Sequence, residues 1–595
     1  MPDPRAVYAQ RLNGKQQELT REDRQHRTFG NLRLLLFVIL GIIVWLALAR
    51  QSVSIGWAAA PLAAFVALVF RHQAVVQRMK AARRAVDYYT RGVARLDGRL
   101  LPPVESGERF ANTGHPYTAD LDIFGAGSLF ELLSTARTRA GEDMLARWLQ
   151  APAPAEEVLA RQHAVEELRG KLDLREDLAV LGEDFRAGVH PEALRAWSVA
   201  PGVQFPAAAR PVARVLSVIA LGLVVAFIAT LFANIPVRLA LIAVGAIEAA
   251  FFYRFRHTVQ AIAAAAEEPG HDLSLLSAVL RRIEDEQFNA PLLRDIRAAL
   301  DSAGEPPSRR IARLAMRIEM LDSRDNVFVR VFGPVLLWTT QLAFSIEQWR
   351  AASGAAVPRW LDAVGQFEAL SSLAGYAFEH PGYPFPEIVA GAPLYDGVGI
   401  AHPLLPAAAV PNDVMLDARA TRLLLVSGSN MSGKSTLLRT LGVNAVLAQA
   451  GSVVRAASLR LSPLSVGASL RATDSLQGGT SRFYAEIQRL RHILELPEPV
   501  LFLLDELLAG TNSHDRRIGA EGVIRGLLAR ASIGCVTTHD LALASIAETL
   551  APAAANVHFE DYLEHGTIAF DYRMRPGVVT RSNALELMRA VGLPL

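Results

Sequence analysis

The sequence predicts a fold in two styles: an α/β domain over residues 379–595, and before it a mostly α-helical region interrupted by two apolar helical hairpins. Three patterns lead there. Uncharged apolar blocks cluster at residues 34–70 and 215–252, the intervening and following segments repeat apolar residues at helical spacing, and past residue 380 short continuous apolar runs alternate with helical stretches. Such runs are expected of parallel strands covered by helices on both faces.

At 595 residues the chain exceeds a single core, and roughly 150 residues per domain implies about four units. The formal charge of +2 neither demands nor excludes a nucleic-acid partner. The one cysteine, Cys535, excludes an internal disulfide framework and fits a reducing compartment as a core-filling side chain. Apolar residues make up 51% of the chain, an excess carried by the blocks.

The first two blocks are residues 34–49 (LLLFVILGIIVWLALA) and 55–70 (IGWAAAPLAAFVALVF). Each reaches about 18 residues with its flanks, within the roughly 17 to 25 that a bilayer-spanning helix needs. Residues 215–233 meet that length, and 239–252 nearly do but contain Glu248. Arg21, Arg24, Arg27 and Arg33 precede the first block, and Arg71, Arg78, Lys80, Arg83 and Arg84 follow the second. The second pair has Arg210 and Arg214 before it and Arg254, Arg256 and His257 after it. The positive-inside rule then gives two hairpins with cytoplasmic ends, hence a multi-pass membrane protein whose C-terminal domain is cytoplasmic. The competing reading is that the blocks are buried core helices. A polar segment precedes the first block and a return span follows it, so no signal peptide is expected. Glu248 is either a functional intramembrane carboxylate or part of a shallow span that lets it reach water, and the second reading is preferred.

Five segments follow: a basic N-terminal segment with the first hairpin (1–110), a first helical core part (111–205), the second hairpin (206–258), a second helical part (259–378) and the α/β domain (379–595). Residues 71–110 are basic and helical in pattern. Leu129, Leu132, Leu133, Met144, Leu145, Trp148 and Leu149 mark a helical run that Pro152 and Pro154 end, and 156–169 is another helix. Residues 262–299 and 309–371 read as long helices broken at Gly304, Pro306, Pro307, Gly333-Pro334 and Gly354. The apolar stretch 331–345 carries Thr339, Thr340 and Gln341 and reads as a packed helix instead of a fifth span. No period of roughly 20 to 50 residues repeats, so a solenoid is unsupported. In the last segment, strands are expected at 422–427, 500–504, 534–538, 557–559 and 567–572.

The chemistry concentrates there. Gly428-Ser429-Asn430-Met431-Ser432-Gly433-Lys434-Ser435 matches the G-x-x-x-x-G-K-[ST] phosphate loop and lies between the strand LLLVS and a helix beginning near Lys434. Glycines allow backbone N–H groups to turn toward phosphates at the positive end of the helix. Lys434 would neutralise the β and γ phosphates of ATP, and Ser435 would offer its hydroxyl to Mg²⁺. Residues 500–504 lead into Asp505-Glu506, placing two carboxylates at the C-terminal edge of a buried strand. Asp505 would hold Mg²⁺ through water and Glu506 would act as general base on the attacking water. His539, just past GCVTT, lies where an imidazole contacts the γ phosphate. The fold class is therefore an α/β P-loop NTPase, ABC-ATPase-like, and the activity expected is ATP hydrolysis.

The order GSNMSGKST, SRFYAE (481–486), LLDELLAGTNSHD (503–515) and TTHD (537–540) closely resembles the ATPase domain of the MutS DNA mismatch repair family. Supporting matches are VPND (410–413), LAQAGS (447–452) and RPG...AVGLP (575–594). LDIFGAGSLFELL (121–133), WLQAP (148–152), RQHAVEEL (161–168) and FEALSSLA (367–374) resemble that family's core and lever. The likeness covers about residues 117–205 and 260–595. It implies a homodimeric ATPase in which Ser481 and its neighbours reach the γ phosphate held by the other subunit, Asn430 orders the phosphate loop, Thr436 continues it, and Tyr572 falls near the adenine. Family members use ATP to reset a clamp around DNA. Nothing before residue 110 resembles the mismatch-reading or connector domains, the family's loop Pro and Gly are Ser429 and Ser432, and its Arg before the GT turn is Ala509. The ATP chemistry survives these departures, while the parts that read a mismatch are not found.

Three functions follow from these features: a membrane-anchored MutS-like ATPase that still binds DNA, an ABC-type transporter, and an ATP-driven membrane scaffold acting on a protein partner. Arg309, Arg310, Arg313 and Arg317 lie at helical spacing and form either a DNA patch or a solvated face. Leu476-Gln477-Gly478-Gly479-Thr480 loosely resembles the transporter signature. Two short hairpins are too little membrane for an obvious transport pathway.

Overall fold

The computed structural model of the chain describes residues 3–50, 53–99, 101, 105–181, 191–203, 205–206, 208–230, 234–267, 273–300, 304–323, 329–330, 333–429, 431–470, 482–539, 541–564 and 567–579. These fall into two compact units, one of residues 1–135, 145–180 and 370–595 and the other of residues 136–144 and 181–369. The first unit thus joins most of the 111–180 helical segment to the α/β domain.

Helix α1 (Pro4–Leu48) is one unbroken helix of 45 residues, opened by Pro4 at its first turn and by the Asp3 carboxylate, which accepts from the Arg5 and Ala6 N–H groups. Its first half is charged and its second half apolar. Helix α2 (Ala59–Leu96) returns alongside it. Both are long and apolar enough to cross a membrane, and none of the most apolar window of α1 is buried by protein. At their basic ends Arg95 donates from Nε and Nη2 to the Glu379 carboxylate, which also accepts from the Tyr8 hydroxyl at 3.3 Å. Lys15 pairs with Glu176 at 2.7 Å. The helical run expected over 128–149 is split into α3 (Leu129–Leu133) and α4 (Arg139–Gln150), with residues 134–138 between them. Helix α5 (Ala155–Gly170) matches its expected span and α6 (Leu172–Val180) follows. The guanidinium of Arg161 on α5 lies 4.0 Å from the Trp148 ring centre and donates to the Gln449 carbonyl at 3.3 Å, fixing α5 to the α/β domain.

In the second unit, α7 (Pro191–Val199) precedes the hairpin of α8 (Ala209–Ala229) and α9 (Ile235–Glu267), again long and apolar enough to span a membrane. The tail of the expected third span, 231–233, lies outside the described residues. Ala209 and Ala213 let Phe251 and Phe255 pack close to α8. Glu248, expected on a shallow span, is 6% exposed, and its Oε1 is enclosed without a hydrogen-bond partner among the described residues. The long helix expected over 262–299 is interrupted, giving α10 (Leu273–Glu284) and α11 (Pro291–Ala299) after α9. Helix α12 (Pro307–Asp322) and α13 (Trp338–Ser353) follow, the latter being the packed helix expected around Thr339 to Gln341. Gly354 follows α13 where a Cβ would meet the Ser198 carbonyl oxygen at 2.2 Å, so only glycine fits there.

Helix α14 (Val357–Glu379) leads into the α/β domain. A four-stranded sheet orders β1 (Glu387–Ile388), β5 (Ser458–Leu461), β2 (Leu394–Ile400) and β3 (Asn412–Asp417). The larger sheet orders β10 (Thr567–Pro576), β9 (Ala554–Glu564), β4 (Leu423–Ser427), β8 (Ser532–Thr538), β7 (Val500–Leu504) and β6 (Ser465–Ser469). Its neighbours pair in parallel except for β10 against β9. Strands β4, β7 and β8 are buried at every residue, because α15 (Lys434–Ala450), α16 (Arg482–Glu495), α17 (Ser513–Leu528) and α18 (Leu541–Thr549) supply the covering layers. Cys535 lies in β8 and is fully buried as expected, and burial pushes its thiol up to about 12.

Candidate nucleotide site

The parallel order of β4, β8 and β7 brings three loops to one sheet edge, the edge at which such folds bind ligands. The phosphate loop leaves β4 at Gly428, whose φ of +142° is open to glycine alone, and a Cβ there would lie 2.9 Å from both the Phe559 carbonyl oxygen and Ser432 Oγ. Met431 and Gly433 also take positive φ, so the loop turns its backbone inward and α15 begins at Lys434.

Lys434 is 4% exposed. Its Nζ donates to the carbonyls of Gly428 at 2.9 Å and Ser429 at 2.8 Å and lies 3.5 Å from His539 Nε2. Burial lowers its pKa, opposed by Glu506 and Asp505. An ammonium has three protons; the two loop carbonyls take two of them, and His539 is the third neighbour of Nζ. Ser432 Oγ ties the loop by donating to Ser429 O at 2.8 Å. Ser429 Oγ is enclosed without a partner among the described residues.

At the end of β7, Asp505 Oδ2 accepts from Ser435 Oγ at 2.6 Å and Oδ1 accepts from the Thr537 hydroxyl. Thr537 in turn accepts from the Glu506 N–H at 3.0 Å. Glu506 and Leu508 have φ of +49° and +55°. Each costs about 1 to 3 kcal/mol, and the turn is held because Glu486 on α16 accepts from the Leu508 N–H at 2.7 Å. The turn aims Glu506 Oε1 at His539 Nε2, 2.6 Å away. Serine hydroxyl and carboxylate oxygens are the hard donors that Mg²⁺ takes. Among the described residues no cluster of three His, Cys, Asp or Glu side chains placed to hold a metal ion is present.

Beside the loop lies a cleft of about 610 Å³ lined by His402, Val410, Asn412, Met431, Thr436 and Tyr572, among others. Tyr572 takes a φ of +54°. Its ring edge would lie 3.3 Å from a Cβ on Gly433, and its carbonyl accepts from Asn412 Nδ2 at 3.0 Å. The aromatic face and apolar walls suit a purine base. Burial lowers the His402 pKa to about 4, keeping its ring neutral there.

Lys434, Ser435, Asp505, Glu506 and His539 therefore meet at one edge with Gly428, Ser429, Ser432 and Gly433 around them. Met431 is 83% exposed and, with Thr436 and Tyr572, borders the cleft. Asn430, Ser481 and the 476–480 segment lie outside the described residues. Sequence reasoning missed Thr537, Glu486 and Asn412 as working parts, although the motifs TTHD, SRFYAE and VPND contain them.

A family model described as MutS domain V matches residues 424–595. Endonuclease MutS2 of Thermus thermophilus is 34% identical over 254 residues, 41% of this chain and 32% of that protein. DNA mismatch repair protein msh3 of Aspergillus fumigatus is 34% identical over 247 residues, covering 39% of this chain and 22% of its own. DNA mismatch repair protein MutS of Methanosarcina mazei is 32% identical over 240 residues, 39% of this chain and 26% of its own. The chain thus spans about a third or less of the length of these relatives. With a phosphate loop, an acidic strand end and a parallel sheet in the expected places, residues 424–595 of this chain are similar to MutS domain V, a P-loop-ATPase-type domain.

Proposed function

We propose that the chain is a membrane-anchored MutS-like ATPase that hydrolyses ATP as a homodimer to drive a clamp-like movement. The observation that carries this reading is the convergence of Lys434, Ser435, Asp505, Glu506 and His539 at one sheet edge. Lys434 and the loop N–H groups bind the phosphates. Ser435 and Asp505 would hold Mg²⁺, which supplies charge neutralisation when bound. Glu506 accepts the proton of the attacking water, and His539 fixes its carboxylate on the phosphate side. The cleft at Tyr572 receives the base.

Membrane anchoring rests on the four long apolar helices, whose most apolar windows are at most 17% buried by protein. Exposed Leu34, Phe37, Trp45, Phe70 and Val218 are the kind of surface that lipid covers. A partner other than DNA is favoured by the arginine row on α12. Arg313 pairs with Glu305 at 2.8 Å, Arg310 donates to the Glu305 carbonyl at 3.0 Å and Arg317 to the Ser345 carbonyl at 3.1 Å. Guanidinium groups already engaged within their own unit are poorly placed to neutralise phosphates.

The test is ATP turnover by the full chain in detergent, alone and with homoduplex or mismatched DNA. Turnover that Lys434→Ala abolishes, with no stimulation by DNA, is expected. Nucleotide retention and turnover unchanged in Lys434→Ala would overturn the ATPase reading, and stimulation by mismatched over homoduplex DNA would restore mismatch recognition.

A further inference from the structure

Within the second unit, α9 and the segment leading into α13 enclose a cavity of about 510 Å³ that has no part in the nucleotide site. Glu248, Phe252, Arg330, Leu337, Trp338 and Thr340 lie in its lining. Its walls are mainly apolar, and two of its polar lining residues, Glu248 and Thr340, hold an oxygen without a partner among the described residues. Glu248 is 6% and Thr340 1% exposed, and neither Glu248 Oε1 nor Thr340 Oγ1 has a hydrogen-bond partner among the described residues. A neighbouring polar pair is satisfied: Gln341 donates to Ser217 Oγ at 3.0 Å. An enclosed carboxylate oxygen without a donor is costly, more so in an apolar setting, and a ligand carrying a positively charged donor removes that cost.

The position on the chain narrows the ligand. Glu248 lies six residues before Arg254, about 9 Å along the helix, so on the membrane reading the cavity opens at the depth where headgroups meet acyl chains. Arg330 lines the same cavity and is exposed, offering planar donors suited to phosphate. Carboxylate, guanidinium and apolar wall together match an ammonium, a phosphate and an alkyl chain. The geometry points to a binding site for one phospholipid with a primary-amine headgroup, its ammonium on Glu248 and Thr340, its phosphate on Arg330 and its first methylenes against Phe252, Leu337 and Trp338.

This inference rests on the membrane reading, and the two are separable by experiment. Alkaline carbonate extraction of cell membranes tests the anchor: release of the chain into the soluble fraction sinks the anchor and the lipid site together. With the chain retained, native mass spectrometry of detergent-purified full chain tests the site with three added lipids of equal chain length, bearing ethanolamine, choline or glycerol headgroups. One ethanolamine lipid per protomer, held about tenfold or more tightly than the other two, is expected, and Glu248→Gln should lose that preference by about the same factor. Should the glutamine variant not purify as a monodisperse species, Thr340→Val serves instead, with a loss of about threefold. Equal retention of the three lipids, no retained lipid, or an undiminished preference in the variant that purifies would each overturn the proposal.

Discussion

Two runs of nearly the same apolar composition meet opposite fates. In β4, LLLVS is buried at every residue, Leu425 being 1% exposed. In α1, the LLLFVIL stretch leaves Leu34 65% and Phe37 63% exposed. The first run sits beside strands whose faces helices cover, and the second has one helical neighbour along its length. Apolarity therefore states that a segment is driven out of water, and the surrounding elements decide whether protein covers it.

Substitution sharpens that contrast most. Phe502→Ala in β7, at a side chain that is fully buried, is expected to lower unfolding free energy by about 4 kcal/mol. Leu35→Ala in α1, 55% exposed, is expected to change it by less than about 0.5 kcal/mol in detergent. Denaturant titration of both variants decides, and equal losses would show that α1 packs against protein. Next in size, Glu506→Gln should lower kcat about a thousandfold while ATP is still retained. Steady-state turnover beside a filter-retention assay separates the two, and a variant that turns over normally removes Glu506 from the chemistry.

A smaller effect comes from a buried carboxylate. Desolvation raises the Glu368 pKa from 4.5 to about 7, opposed by the Thr138 hydroxyl and the Arg137 and Thr138 N–H groups that donate to it. The folded form holds its proton more tightly than the unfolded form, so this stabilisation is complete below pH 4.5 and is lost as pH rises through about 7. The difference is about 3 kcal/mol. Melting of wild type and Glu368→Gln at several pH values between these limits should show the wild type alone losing stability across that window. The smallest expected change is at Arg313, an exposed partner of Glu305: Arg313→Ala should cost about 0.5 kcal/mol or less. DNA retention that falls steeply with salt, and falls again in this variant, would reverse the assignment of that face.

The legible parts of the sequence were those governed by continuous patterns. Strand β7 begins and ends where its apolar run does, at Val500 and Leu504, because both faces are covered and no residue has to alternate. Strands β2 and β3 escaped notice because half-exposed positions admit Asp396 and Asp413, which mask the apolar signal. The breaks after Glu267 and Glu284 are written in Pro269-Gly270 and in Pro291, which the sustained helical spacing over 262–299 masked. In the site, lysine, aspartate and glutamate were legible because phosphate and magnesium chemistry demands those groups at that spacing. Thr537 was not, since its work depends on β7 and β8 lying side by side with Leu504 opposite Val536, a register that no local pattern states. The partial enclosure of Glu248 was not legible because its neighbours in space, among residues 329–340, are far from it in sequence.

Helix α1 carries a mechanical consequence. Its 45 residues make a rod about 68 Å long with neither proline nor glycine pair to soften it past the first turn. Its foot is pinned where Tyr8 meets Glu379 and Lys15 meets Glu176. A strut without a joint cannot absorb a push: a load at its apolar tip arrives at its foot, on Glu379 and Glu176.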